Sequence, residues 1–146
     1  MINLPSGEFL ERKVKDLMIS SERVAHVQIG NNLEHALLVL TKSGYTAIPV
    51  LDPHYKLHGL ISTPIIMDSI LGLERIEFEQ LEMKRVEEVM KTAIPRVKIS
   101  ESFDSCLELL INHPFLCVET EDDLFAGILP RSTVLNHINK LFKYTS

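Results

Sequence analysis

Six histidines and two cysteines are the side chains in this 146-residue sequence whose types suit metal binding or nucleophilic chemistry. His54 and His58 stand four apart, a spacing that makes two imidazoles converge on a helix face. Here they fall in a turn region between two strand-like runs, so no metal site is expected. Cys106 belongs to a helical pattern and Cys117 to a strand pattern, and neither has a CxxC or a histidine-containing spacing. Both read as small buried hydrophobes of a reducing compartment. The sequence holds no G-x-S-x-G elbow, Walker phosphate loop, H-E-x-x-H or G-x-G-x-x-G. With no acid, base and nucleophile to name, the chain is expected to have no catalytic residues and to be no enzyme.

The elements that would position any site come as a repeat about seventy residues apart. Leu33, Leu37 and Leu40 recur at helical spacing, and Phe103, Leu107 and Leu110 occupy the equivalent places, so each copy holds a helix with one apolar stripe. Asn31, with Glu34 three residues on, resembles a helix start, and Ser100 and Ser102 are available for that task downstream. Strand-prone runs follow, Ala47 to Leu51 and Phe115 to Val118, then turns, Asp52 to His58 and Glu121 to Asp123. Second short apolar runs, Leu57 to Ile61 and Leu124 to Leu129, suit hairpin partners. Pro64 and Pro130 sit where a second helix begins, with Ile66, Met67 and Ile70 matching Val134, Leu135 and Ile138. Extended pieces, Val24 to Ile29 and Arg96 to Ile99, precede each copy. The unit reads strand, helix, strand, strand, helix.

Composition sets bounds. A chain of 146 residues that is 45% hydrophobic can bury one good core. No run approaches eighteen apolar residues, and MINLPSGEFLERK lacks a signal pattern, so neither membrane insertion nor secretion is expected and the cytoplasm is the default. A net charge of −5 argues against long nucleic acids as partners. The segment from Leu71 to Arg85 is charged and expected to be helical, with Ile76, Leu81 and Val86 as apolar points. It reads as a solvated connector or a surface for a partner protein. The stretch around Phe9, Val14 and Leu17 suits a further helix packing across the pair.

GYTAIPVLD, a gap and GLIST resemble a CBS motif, and the two copies resemble a CBS pair, or Bateman module, over roughly residues 14 to 140. KVKDLM and VEEVM, each ahead of one copy, resemble the usual lead-in to such motifs, and Gly59 and Gly127 fit both copies. The resemblance implies an α+β fold of two β-α-β-β-α repeats packed about a pseudo-twofold axis. It sets a first motif at 14–70, a helical connector at 71–85, a second motif at 86–140 and an N-terminal extension at 1–13.

The family resemblance also implies clefts that commonly take adenine-containing ligands. The first copy offers Val24, Ala25, His26 and Val27 as an extended edge whose small Ala25 admits a purine, and Tyr45, Thr46, Ala47, Ile48 and Pro49 as walls plus a hydroxyl. Counted by a seventy-residue offset, Ala25 becomes Pro95, Thr46 becomes Leu116 and Pro49 becomes Glu119, so one competent cleft per chain is expected. Arg131, flanked by Pro130 and Ser132 at the start of the last helix, sits where family sites face phosphate and ribose. Arg23 is a second cation. Many nucleoside-binding members carry an acidic residue six positions after the glycine, and here those positions are Ile65 and Thr133. A free ribose diol loses its bidentate partner there, whereas a 3′,5′-cyclic dinucleotide loses less. The resemblance therefore implies a cyclic di-AMP sensor without cofactor, with an AMP or ATP energy sensor and a ligand-free structural dimerisation module as alternatives. It implies a homodimer acting on a separate enzyme, for which similar stand-alone proteins suggest the alarmone synthetase/hydrolase or pyruvate carboxylase.

Overall fold

The expected element order is present in both copies of the computed structural model, which describes residues 13–145. In the first, β2 (Val27–Gln28), α2 (Leu33–Ser43), β3 (Ala47–Leu51), β4 (Leu57–Ser62) and α3 (Thr63–Ser69) follow one another. In the second, β5 (Arg96–Lys98), α6 (Phe103–Asn112), β6 (Phe115–Glu119), β7 (Phe125–Pro130) and α7 (Arg131–Thr145) repeat the series. The fold class is α+β. In each copy a short parallel pairing, β2 with β3 or β5 with β6, joins an antiparallel hairpin, β3 with β4 or β6 with β7. β3 and β6 are the most buried strands, because a helix covers the sheet and both strand edges are paired.

Two compact units form, and they do not follow the order of the chain. One is Ala25–Ile94; the other joins the described residues up to Val24 to those from Pro95 on. The segment ahead of each motif has crossed to the other copy. The single turn α1 (Val14–Leu17) leads to β1 (Ile19–Ser20), which pairs antiparallel with β7, Ile19 opposite Ile128. Its counterpart, α5 (Val86–Val89), leads to Lys91, which exchanges two 2.9 Å backbone hydrogen bonds with Leu60 of β4. Val14 is wholly buried among Val97, Phe103, Cys106, Leu116, Val118 and Leu129. Val86 is wholly buried among Val27, Leu33, Leu40, Ile48, Ile61 and Ile66.

A shared local code makes these lead-ins alike. An acid at the third helical position reaches back to the amide before the turn: Asp16 accepts from Lys13 N at 3.2 Å, and Glu88 accepts from Arg85 N at 2.6 Å. The glycines explain why the crossing is possible. A Cβ at Gly59 would lie 2.6 Å from the Lys91 carbonyl oxygen, and one at Gly127, whose φ is +154°, would overlap the Ile19 carbonyl oxygen.

Three expectations change. The first helix is capped by Asn32, whose side chain accepts from His35 N at 2.9 Å, while Asn31 closes the preceding turn by accepting from Gln28 N. The connector is not one helix: it forms a tight loop and the single turn α4 (Gln80–Met83), while Val86 belongs to a core rather than a solvated surface. Third, β3, β4 and α3 recur 68 residues on, as β6, β7 and α7, whereas β2 and the start of α2 recur 70 residues on. Two residues are lost where α6 ends, so Thr46 corresponds to Pro114 and Pro49 to Cys117, not to Leu116 and Glu119. Phe9 and the 1–13 extension lie outside the described residues except for Lys13.

The crossing gives a directional test. Val86→Ala opens a cavity in the unit of the first motif and should cost about 2 kcal/mol. Amide exchange should quicken in β3 and β4 well before β6 and β7; equal loss in all four would contradict the crossed packing.

Candidate functional site

Parallel register brings the candidate residues of the first copy to one edge. Val27 lies opposite Val50, so the same alignment carried back sets Ala25 and His26 beside Ile48 and Pro49. On the other side Ala47 is paired with Ser62, which places the end of β4 next to the segment entering β3. Thr46 is exposed and Tyr45 is 36% exposed, Ala25, His26 and Ala47 are half-buried, and Val27, Ile48 and Pro49 are buried. The edge thus presents half-buried Ala25, His26 and Ala47 beside a hydroxyl and a phenol. Val27 and Ile48 are also core residues, packed with Leu33, Leu40 and Ile61.

His26 is partly committed elsewhere. Its ring meets Tyr55 edge-on at 5.8 Å between centroids. Tyr55 sits in the β3–β4 turn with a positive φ of 65°, uncommon for a bulky residue. Asp52 builds that turn, accepting from the amides of His54 at 2.8 Å and Lys56 at 3.0 Å. Its other oxygen bonds His58 Nε2 at 2.9 Å. These bonds, that of His58 foremost, lower the Asp52 carboxyl from 3.8 to about 2. His54 and His58 therefore serve a turn, and among the described residues no group of His, Cys, Asp and Glu could hold a metal ion.

Arg23, Arg131 and Ser132 belong to the other unit. Arg23 ends a 3-10 turn after β1, and Arg131 follows β7. Since β1 and β7 are antiparallel, the two arginines leave that pair of strands at opposite ends. Arg23 and Ser132 are exposed and Arg131 is half-buried.

The Arg131 guanidinium has a structural task. Its Nη1 donates to the carbonyls of Leu110 at 3.2 Å and Ile111 at 3.1 Å, in the last turn of α6. Helix α2 ends with Gly44 in the left-handed region, φ 78°, its amide bonded to Leu40 O. Helix α6 has lost that glycine with the two missing residues: it ends at an extended His113, and Pro114 has no amide to donate. A cation at the helix end replaces the glycine cap.

The second copy supplies a different surface at the places that match the first. Pro95 and Pro114 stand where Ala25 and Thr46 do, removing two amides that could read a base. Glu119 is buried, with Arg96 Nη1 3.5 Å away, and Lys98 pairs with Asp123. Burial pushes the Cys117 thiol up to about 12, so neither reactivity nor metal binding is expected of it. Ser62 and Thr63 were not singled out by spacing, although they close GLIST. The β3–β4 register beside Ala47, rather than the residue pattern, brings them to the edge.

Two measurements test these assignments. Arg131→Ala should cost about 1–3 kcal/mol in urea unfolding and fray the end of α6, with Arg131→Lys keeping part of the bonding. The Asp52 shift gives a pH dependence. Its native carboxyl titrates below its unfolded one, so the contribution is whole above about pH 4 and is lost as pH falls towards about 2. Asp52→Asn should flatten that part of the stability profile; an unchanged slope would contradict the turn bonds.

Residues 14–72 match the CBS domain family. The chain is similar to cyclic di-AMP receptor B of Bacillus subtilis, with 58% identity over 140 residues, 96% of this chain and 95% of that protein. A CBS domain-containing protein of unknown function from Bacillus anthracis is 65% identical, with a TM-score of 0.88 over 93% of this chain and 99% of that one. The CbpB protein of Listeria monocytogenes, solved in complex with cyclic di-AMP, is 54% identical, with a TM-score of 0.84 over 90% of this chain and 98% of that one. The chain belongs to the CBS-domain family.

Proposed function

We propose that this chain is a receptor for cyclic di-AMP that signals without catalysis, in the cytoplasm, by binding a separate target enzyme. The observation that carries the reading is identity of 58% and 54%, across nearly full lengths, to a protein named for this ligand and to one solved with it. The chain's own edge fits. In the proposed site Ala25, Val27, Ala47, Ile48 and Pro49 form the apolar floor and Tyr45, Thr46 and His26 its polar rim, all within one unit. Ile65, at the position where many nucleoside-binding members carry a carboxylate, packs against the core instead. No acid there grips a ribose diol, which favours the cyclic dinucleotide over AMP or ATP. Among the described residues no helix is long and apolar enough to cross a membrane, which is consistent with that location.

The two motifs, 14–70 and 86–140, act as one pair, with 71–85 between them. The proposed assembly is a homodimer. Leu38 on α2 and Ile111 and Leu135 on α6 and α7 are large exposed apolar side chains, and a hollow of about 490 Å³ between α6 and α7 is lined by Leu107, Ile111, Leu135 and Ile138. Burying such faces against a second copy removes them from water. In the proposed mechanism the ligand-free dimer binds and stimulates its target, and the dinucleotide competes by favouring another surface. The alarmone synthetase/hydrolase and pyruvate carboxylase are the targets to test.

Isothermal titration with cyclic di-AMP, AMP, ATP and cyclic di-GMP decides the ligand. Tight binding of cyclic di-AMP near one per chain is expected. Preference for AMP or ATP would move the reading to energy sensing, and silence from all four would leave a structural dimerisation module. Ala25→Gly with Arg131→Ala should weaken cyclic di-AMP at least tenfold. Unfolding of the same variant keeps the helix-capping loss separate from the loss of ligand contacts.

A further inference from the structure

The loop between α3 and α4 holds its shape by its own backbone. Leu71 and Ile76 form an antiparallel bridge, Gly72 N donates to Arg75 O at 2.8 Å, and Glu77 N donates to Ile70 O at 2.7 Å. The turn is close at Gly72, where a Cβ would lie 3.0 Å from the Arg75 carbonyl oxygen. Lys84 pins the far side, its Nζ donating to Ser69 O at 2.6 Å. Yet this ordered loop turns its apolar side chains to water: Leu73 is 106% exposed at the tip, Met83 72%, Phe78 60% and Leu71 59%. Loops are ordinarily polar, and a cluster of this kind on a fixed backbone costs solvation in the free protein while losing little entropy on docking.

We propose that residues 71–83 are a docking element for a separate protein that offers an apolar pocket rimmed by lysine and arginine. The charge around the apolar tip selects that occupant. Between Leu71 and Met83 lie four glutamates, at 74, 77, 79 and 82, and one arginine, Arg75, which is already paired with Glu79. An anionic membrane surface repels such a loop, as does nucleic acid. A second copy meeting the loop on a twofold axis sets the same acidic loop against itself, and one meeting it off the axis brings a chain of net charge −5 to it. A basic-rimmed pocket gains from both the tip and the rim. None of the proposed nucleotide-site residues lies between 71 and 83, so the docking element stands whether or not that reading holds.

The test uses the full chain carrying Leu73→p-benzoylphenylalanine, photo-crosslinked in its own cells, with adducts mapped to the residue. The mapped protein is then purified, and its affinity is measured for the unmodified chain, for Leu73→Ser with Phe78→Ser, and for Glu74→Lys with Glu82→Lys. Expected are adducts within an apolar segment flanked by lysine or arginine, and at least tenfold weaker binding by each double variant. Circular dichroism should be unchanged, since all four positions are outside both cores. Adducts to a second copy of the chain, flotation on phosphatidylglycerol vesicles that the Leu73→Ser, Phe78→Ser pair abolishes, affinity indifferent to both variants, or no adduct would each overturn the proposal.

Discussion

The approach of a backbone carbonyl to a glycine, Lys91 on Gly59 and Ile19 on Gly127, is the constraint around which the rest of the chain is arranged. Each hairpin alone presents a bare strand edge, and each lead-in segment alone is a single helical turn too short to persist in water. Bringing them together satisfies the edge and buries one valine, Val14 or Val86, in the hole that the facing helix and sheet leave. A methyl group on either glycine blocks the approach. The crossing also ties parts of the chain that are distant in sequence, so neither motif completes its unit from its own span of residues.

On that shared frame the two copies spend different chemistry. Asp52 and Thr120 play one part, each accepting from the amide four residues on, Lys56 at 3.0 Å and Leu124 at 3.1 Å. Tyr55 and Asp123 occupy the same left-handed position, φ 65° and 63°. There the likeness ends. In the first copy the turn carries an aromatic contact to His26, beside a floor with one exposed hydroxyl. The second closes its sheet with Glu119 against Arg96 and Asp123 against Lys98, spending charged groups on one another. Arg96 and Lys98 are thus each paired, and Pro95 and Pro114 stand just before β5 and β6 where the first copy has amides. The two copies differ in side chains and, in the backbone, at the end of α6.

This pattern also explains what the residues alone revealed. Strand, helix and hairpin positions were legible because they rest on local periodicity, and both copies repeated it. Long-range facts were not. Nothing in KVKDLM says that Val14 will be buried beside Phe103 rather than beside Leu33, because both holes accept a valine. The slip from a 70- to a 68-residue offset falls at a helix end, where apolar spacing carries no signal, and it moved Thr46's counterpart from Leu116 to Pro114. Asn31 and Asn32 were both competent caps, and the backbone angle at Asn32 chose between them. At the proposed site, the edge from Ala25 to Val27 and from Tyr45 to Pro49 was legible as extended chain, but its assembly required the parallel register of β2 and β3.

Arg131 has a structural task that any ligand contact would have to compete with. Its guanidinium closes the last turn of α6 by bonding Leu110 O and Ile111 O. On the nucleotide-receptor reading, a phosphate that draws this guanidinium must displace or share those bonds. A charged donor leaving two carbonyls costs about 1.5–3 kcal/mol, which the phosphate contact offsets only because it too is charged. The helix end released in the exchange carries Ile111, 70% exposed on the face where Leu135 of α7 also stands. On that reading ligand binding would loosen the face proposed to meet a second copy, with no hinge beyond one helical turn. Had α6 kept the glycine that ends α2, Arg131 would have no carbonyls to leave, and occupancy would remain a private matter of the cleft.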